Sequence, residues 1–230
     1  MNRQLRDVNA NHTHRNMKFL LLMAIFLTQV TTSCSDAGVD YYKKGLAKQE
    51  KGDLDGAITD WTKAIELKPD YANAYFCRGC LRYDSHDFQL ALVDFRKAVE
   101  LDSSNDYARF RVWLIRAREG EAEAASTELQ TYLAGRAATK PDDWVSEVGR
   151  FLTGQLPKQE FLAAAKNEDQ KKEMGQSCEA YFYAGSKHLF AGDTAAAEDC
   201  LQKSIATDQK NSTEYISAVA ELKFLTTQKN

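Results

Sequence analysis

Proline is nearly missing from this chain: Pro69, Pro141 and Pro157 are all that 230 residues contain. Proline removes a backbone donor and breaks helices, so its scarcity, with Ala, Leu, Lys, Glu and Gln plentiful, favours a helical chain. Histidine is scarce too. His12 and His14 lie near the N-terminus, and His86 and His188 lie far apart, so the clustered Cys/His pairs of a zinc site are lacking. There is no glycine-rich phosphate loop, no G-x-S-x-G elbow, and no Ser/His/Asp set on plausible elements. The carboxylate pair Asp142-Asp143 sits where a helix N-terminus welcomes negative charge, which accounts for it without catalysis. A strong charge of either sign is also lacking: 30 Lys and Arg stand against 33 Asp and Glu. Four of the basic residues (Arg3, Arg6, Arg15, Lys18) precede residue 34, against Asp7 alone, so the body is mildly acidic and carries no basic footprint for nucleic acid. The expectation is a protein without cofactor, without metal and without a reaction of its own.

Long apolar runs are absent as well. The longest, Phe19 to Val30, has twelve residues, fewer than the ~20 a membrane-spanning helix needs. Preceded by Met17-Lys18, it reads as the apolar region of a secretory signal over residues 1–33, with Met17 as a second candidate start. Thr31-Thr32-Ser33-Cys34 closes it with small residues before a cysteine. That resembles the lipobox of bacterial lipoproteins, in which Cys34 would be lipidated. A plain cleavage site before a cysteine and an uncleaved anchor are the alternatives. The expected address is an exported chain, lipid-anchored in a cell membrane or outer membrane and facing the periplasm.

What the chain has in quantity is a period. Tyr41, Gly45, Ala57, Trp61 and Ala64 are followed 34 residues later by Tyr75, Gly79, Ala91, Phe95 and Ala98. This order is the signature of a tetratricopeptide repeat, a pair of antiparallel helices. Gly45 and Ala57 let the two axes approach, Tyr41 and Trp61 fill the space beside them, and Pro69 marks a stop. The repeat domain is expected over 34–230. Its first repeat spans about 38–71 and its second 72–105, where His86-Asp87 replaces the usual Gly-Asp turn and reads as a solvated loop. A degenerate third covers 106–138, with Arg109 where Tyr belongs and Trp113 where Gly belongs.

From 140 to 177 the period disappears. Trp144, Val145, Val148, Phe151 and Leu152 have helical spacing, Lys158–Lys166 makes a second short helix, and the polar stretch 167–176 reads as a third short helix or a loop. The repeat returns over 178–211 with Tyr181, Gly185, Ala197, Leu201 and Ser204. A last helix, 212–228, carries Tyr215, Ile216, Val219, Leu222 and Leu225 and is expected to cap the array. The fold class expected is all-α, a tetratricopeptide-repeat superhelical solenoid with a non-repeat helical insert and a C-terminal capping helix.

A signal ending in Cys34, two good repeats, a degenerate third, a Trp144-bearing insert and then EAYFYAGSKHLFAGDTAAAEDCLQKSI resemble, in that order, the NlpI-type tetratricopeptide lipoproteins of bacterial envelopes. The resemblance covers nearly the whole mature chain and implies an outer-membrane-anchored adaptor. Such an adaptor is often a homodimer and brings peptidoglycan hydrolases and a protease together.

In stacked repeats the first helices line an inner groove. Tyr42, Leu46, Phe76, Cys80, Tyr83, Tyr107, Phe110 and Leu114 align there as an apolar, aromatic stripe edged by Glu50, Asp84 and Arg118. Such a stripe offers anchors to a partner's helix or extended segment. It could equally be filled by the chain's own Trp144–Leu156 helix or by a second copy. Tyr42, Leu46 and Cys77 stand where a carboxylate clamp would need Lys and Asn, so a clamp is disfavoured despite Arg111. Cys77 and Cys80 have redox spacing but lie mid-helix with no preceding strand, which favours packing over a thiol-redox factor. A disulfide remains open for these two and for Cys178 with Cys200. The function expected is a non-catalytic protein-interaction adaptor. A pilot lipoprotein for a secretion or pilus pore is the alternative within the same class.

Overall fold

Glycines meeting rings set the helix pairs. In a computed structural model, which describes residues 36–137 and 143–228, every regular element among those residues is a helix. The leader expected over 1–33 and the lipidation expected at Cys34 lie outside the described residues. The chain divides after Asp70 into two units.

The first unit is one helix pair, α1 (36–50) and α2 (Leu54–Leu67). A Cβ on Gly45 would run into the indole of Trp61, a side chain with no solvent exposure. Trp61 Nε1 donates to the carbonyl of Tyr42 at 3.2 Å, which satisfies the only polar atom the ring brings inside. The turn between the helices puts Gly52 at φ 80°, and Asp53 caps α2 by accepting from the Gly56 amide at 3.0 Å.

The second unit begins with the same pair: α3 (Ala72–Asp84) and α4 (Phe88–Leu101). A Cβ on Gly79 would lie 2.9 Å from the Phe95 ring, so only glycine permits this approach. Asp94, with no exposed surface, is held between Arg78 (2.7 Å) and Arg82 (2.7 Å). The turn holds His86 at φ 63°, the left-handed conformation that Gly52, Gly120 and Gly192 adopt in the other pairs. Next comes the degenerate pair, α5 (Asp106–Arg118) and α6 (Ala122–Ala137). Trp113, in the glycine position, is accommodated by a small residue opposite, donating through Nε1 to Ser126 Oγ at 3.0 Å.

The insert forms α7 (Trp144–Leu152) and α8 (Lys158–Ala164). They are joined by stacked rings: Phe161 lies 5.3 Å from Trp144 and 4.2 Å from Phe151, both at 7°. The stretch 167–176 is a loop only as far as residue 169 and is not a separate short helix beyond it. Capped by Asp169, its residues from Gln170 onward open a single helix of 21 residues, α9 (Gln170–Phe190). α10 (Thr194–Ala206) returns against α9, with Leu201 filling the space that Gly185 leaves open.

The last helix, α11 (Thr213–Gln228), packs on α9 and α10, and also reaches back to α3. It is more than a cap on the final repeat, and the side it buries differs from the expected apolar stripe. Glu214, Ser217, Ala218 and Glu221 are buried, while Val219 is 41% exposed. Among the described residues no helix is long and apolar enough to cross a membrane.

Candidate interaction surface

The inner wall of the second unit is built from α3, α5 and α9, and its occupant is α11. Tyr83, Phe110 and Leu114, expected to be open to a partner, are 1%, 0% and 0% exposed. They belong to the interior because α9 and α11 close over them: Phe110 meets Tyr183 of α9 edge-on at 6.0 Å. Phe76 and Tyr107 are half-buried, the first beside Phe95 at 5.8 Å, the second donating to Glu179 at 3.1 Å. Tyr42 and Leu46 lie in the first unit and are half-buried there. The Trp144–Leu156 segment is not what fills the wall beside α3; the chain's C-terminal helix does so.

What meets α11 at this wall is charge. Arg111, fully buried, donates to Ser217 Oγ at 3.0 Å and to Glu214 Oε1 at 3.3 Å. Its guanidinium lies 5.0 Å from the Tyr83 ring and 4.8 Å from that of Phe182, contacts that suit a weakly hydrated planar cation. Ser217 donates onward to Asp84. Two turns along, Arg118 pairs with Glu221, which also lies 3.3 Å from His86 Nε2. His86 is no solvated loop residue: its ring stacks on Phe224 at 4.0 Å. At the other end Glu179 accepts from Tyr107 and, at 2.9 Å, from Trp144 Nε1.

Burial makes this cluster unusual in its protonation. It pushes the Asp84 carboxyl up to about 6, against the pull of the Arg111 charge and the Ser217 hydrogen bond. It pushes Glu179 up to about 7, helped by repulsion from Glu214. Removing water from a carboxylate disfavours its charged form unless partners compensate, and here they compensate only in part. Four polar atoms around the same seat are buried without a hydrogen-bond partner: Tyr83 Oη, Tyr183 Oη, Arg111 Nε and Arg118 Nε.

The acidic stripe was missed in the sequence, although its signal is there. Glu214, Ser217, Ala218 and Glu221 fall at i, i+3, i+4 and i+7, one helix face, but the larger side chains of the neighbouring face drew the assignment. The cysteines do not form a reactive pair. Cys77, Cys80, Cys178 and Cys200 form no disulfide, and burial raises Cys80 well above the ordinary thiol range, away from the thiolate that redox exchange needs. Among the described residues no group of three or more His, Cys, Asp or Glu is placed to hold a metal.

Residues 45–85 match the family model described as TPR repeat. That stretch joins α1–α2 to α3, the part of the chain where the 34-residue period is best kept. A segment of 36 residues is 50% identical to an uncharacterized protein of Methanocaldococcus jannaschii, covering 16% of this chain and 42% of that one. Among solved structures, YrrB, described as a TPR protein with an unusual peptide-binding site, is similar with a TM-score of 0.42 and 18% identity. The alignment covers 86% of this chain and 97% of that one. The MamA protein is similar with a TM-score of 0.41 and 20% identity over 76% of this chain and 93% of that one.

Proposed function

We propose that this chain is a non-catalytic protein-binding scaffold of the bacterial envelope, an adaptor carried on a lipid anchor at Cys34. The observation that carries the binding role is the helix-pair construction itself. Glycine-against-ring packing at Gly45–Trp61 and Gly79–Phe95, in a stretch that matches the TPR repeat, repeats a structural unit of the kind that stacks into binding surfaces. The envelope role draws on the short apolar leader ending at Cys34 and on the order of segments shared with NlpI-type lipoproteins. Its partners on this reading are peptidoglycan hydrolases or a periplasmic protease.

The test is in-cell cross-linking of the full chain followed by capture from detergent-solubilised envelopes, with Cys34→Ala in parallel. A hydrolase or protease should be recovered, and less of it with Cys34→Ala, whose product should lack the mass of a lipid. Recovery of a secretin subunit instead would make the chain a pore pilot. Recovery of no envelope protein would end the adaptor reading.

A further inference from the structure

A helix that belongs permanently to a core buries apolar side chains and satisfies the polar ones. α11 does neither. Its buried face is Glu214, Ser217, Ala218 and Glu221, while Val219 and Phe224 remain 41% and 37% exposed. Its seat brings four carboxylates (Asp84, Glu179, Glu214, Glu221) to two guanidiniums, Arg111 and Arg118, with His86 at the margin. Four polar atoms of the wall itself, Tyr83 Oη, Tyr183 Oη, Arg111 Nε and Arg118 Nε, stay buried and without a hydrogen-bond partner while α11 occupies it, which is unfavourable. α11 is joined to α10 through the polar stretch 207–212, where Asp208 is held at φ 56°. A non-glycine residue in that conformation is strained and is relieved when the connection opens.

We propose that the α3/α5/α9 wall is a receptor for an acidic amphipathic helix of a protein partner, with α11 as its built-in, displaceable occupant. This rests on the scaffold reading above and gives it a site and a ligand chemistry. The wall supplies Arg111 and Arg118 two helical turns apart on α5, with aromatic rings flanking each. A ligand helix therefore needs two carboxylates seven positions apart and small residues between them, the pattern of Glu214, Ser217, Ala218 and Glu221. Arg111, buried among rings, with the half-buried Arg118 beside it, selects carboxylates over neutral side chains, because an unpaired buried guanidinium is costly.

The probe is a fluorescein-labelled peptide with the sequence of residues 211–228, titrated into the full chain. The wild type should bind it weakly, since its own α11 competes. Full chain carrying Glu214→Lys and Glu221→Lys should bind it about tenfold tighter or better, and adding Arg111→Met and Arg118→Met should abolish that gain. A peptide bearing the same two Glu→Lys changes should bind none of them. Equal affinity of wild type and the Glu→Lys chain would overturn the proposal. Should the variant fail to fold, hydrogen exchange of the wild type decides. α11 amides should exchange at least about tenfold faster than those of α9 and α10, and a common rate for all three would overturn it. A wild type that sediments as a dimer and becomes monomeric on adding peptide would assign the seat to a second copy instead. If envelope capture succeeds unchanged in the Glu→Lys chain, the scaffold stands and this seat falls; if capture fails while the peptide binds, the reverse holds.

Discussion

Arg111 and Glu214, 103 residues apart in the chain, meet across 3.3 Å with side chains only 1% and 5% exposed. The pair ties the middle of the second unit to its last helix. Each charge loses its hydration on burial, and each is the other's main compensation.

Removing one partner should therefore hurt more than removing both. Arg111→Met, which strands Glu214, should cost about 3–5 kcal/mol in urea denaturation. Arg111→Met with Glu214→Leu should recover most of that loss. A double variant as unstable as the single one would show that the pair is not the cause.

The close approach at Gly79 makes a second prediction. Gly79→Ala places a methyl 2.9 Å from the Phe95 ring and should destabilise by about 1–3 kcal/mol, despite alanine's better helix propensity. Phe95→Leu in the same chain should soften the effect. Thermal unfolding of the two variants and their combination measures the coupling.

Stability should fall as pH rises from 5 to 8. Asp84 and Glu179 move up from ordinary values of 3.8 and 4.5 to about 6 and about 7, so folding favours their protonated forms. Their contribution is complete below pH ~4 and is lost as pH climbs through the raised values, on the order of 4 kcal/mol between pH 5 and 8. Asp84 faces Arg111 from α5 and Ser217, Glu214 and Glu221 from α11; Glu179 faces Tyr107 and Arg111 of α5, Trp144 of α7 and Glu214 of α11. Asp84→Asn should flatten the slope of urea-derived stability against pH. An unchanged slope would count against this account.

Arg136 makes the opposite kind of carboxylate contact. It donates to both oxygens of Asp143 at 2.8 and 2.6 Å and, through Nε, to Asp106 at 3.0 Å, linking α6 to the starts of α5 and α7. The hydrogen bonds from Arg136 hold the Asp143 carboxyl down at about 2, so this contribution is present at neutral pH and is lost only as pH falls toward 2. Arg136→Lys keeps the charge but not the fork, and should cost roughly 1–3 kcal/mol, read by urea denaturation at pH 7. A variant as stable as the wild type would show that a point charge suffices.

The helix pairs were legible because their packing is local and periodic. Gly45 against Trp61, Gly79 against Phe95 and Gly185 against Leu201 recur at a constant offset of 16 residues, and the spacing alone announces a small residue facing a large one. The continuous α9 was less legible, since polar residues 167–176 carry no apolar stripe and their helix is extended by the cap at Asp169 and by the packed helix that follows. The seat of α11 was not legible. The spacing groups Tyr83, Phe110 and Leu114 as one open wall, yet whether such a wall is open depends on a helix about a hundred residues or more away.

By itself, then, the sequence determined the all-helical class and the glycine-against-large pairing within repeats, because each follows from short-range sterics repeated along the chain. Tertiary structure alone decided that Glu214 and Glu221, residues typical of a wet surface, lie inside, and that His86 stacks on Phe224. The physical reason is that a charge is buried only where an opposite charge is waiting. Arg111 and Arg118 reach their acids through a long-range contact that no period in the sequence records.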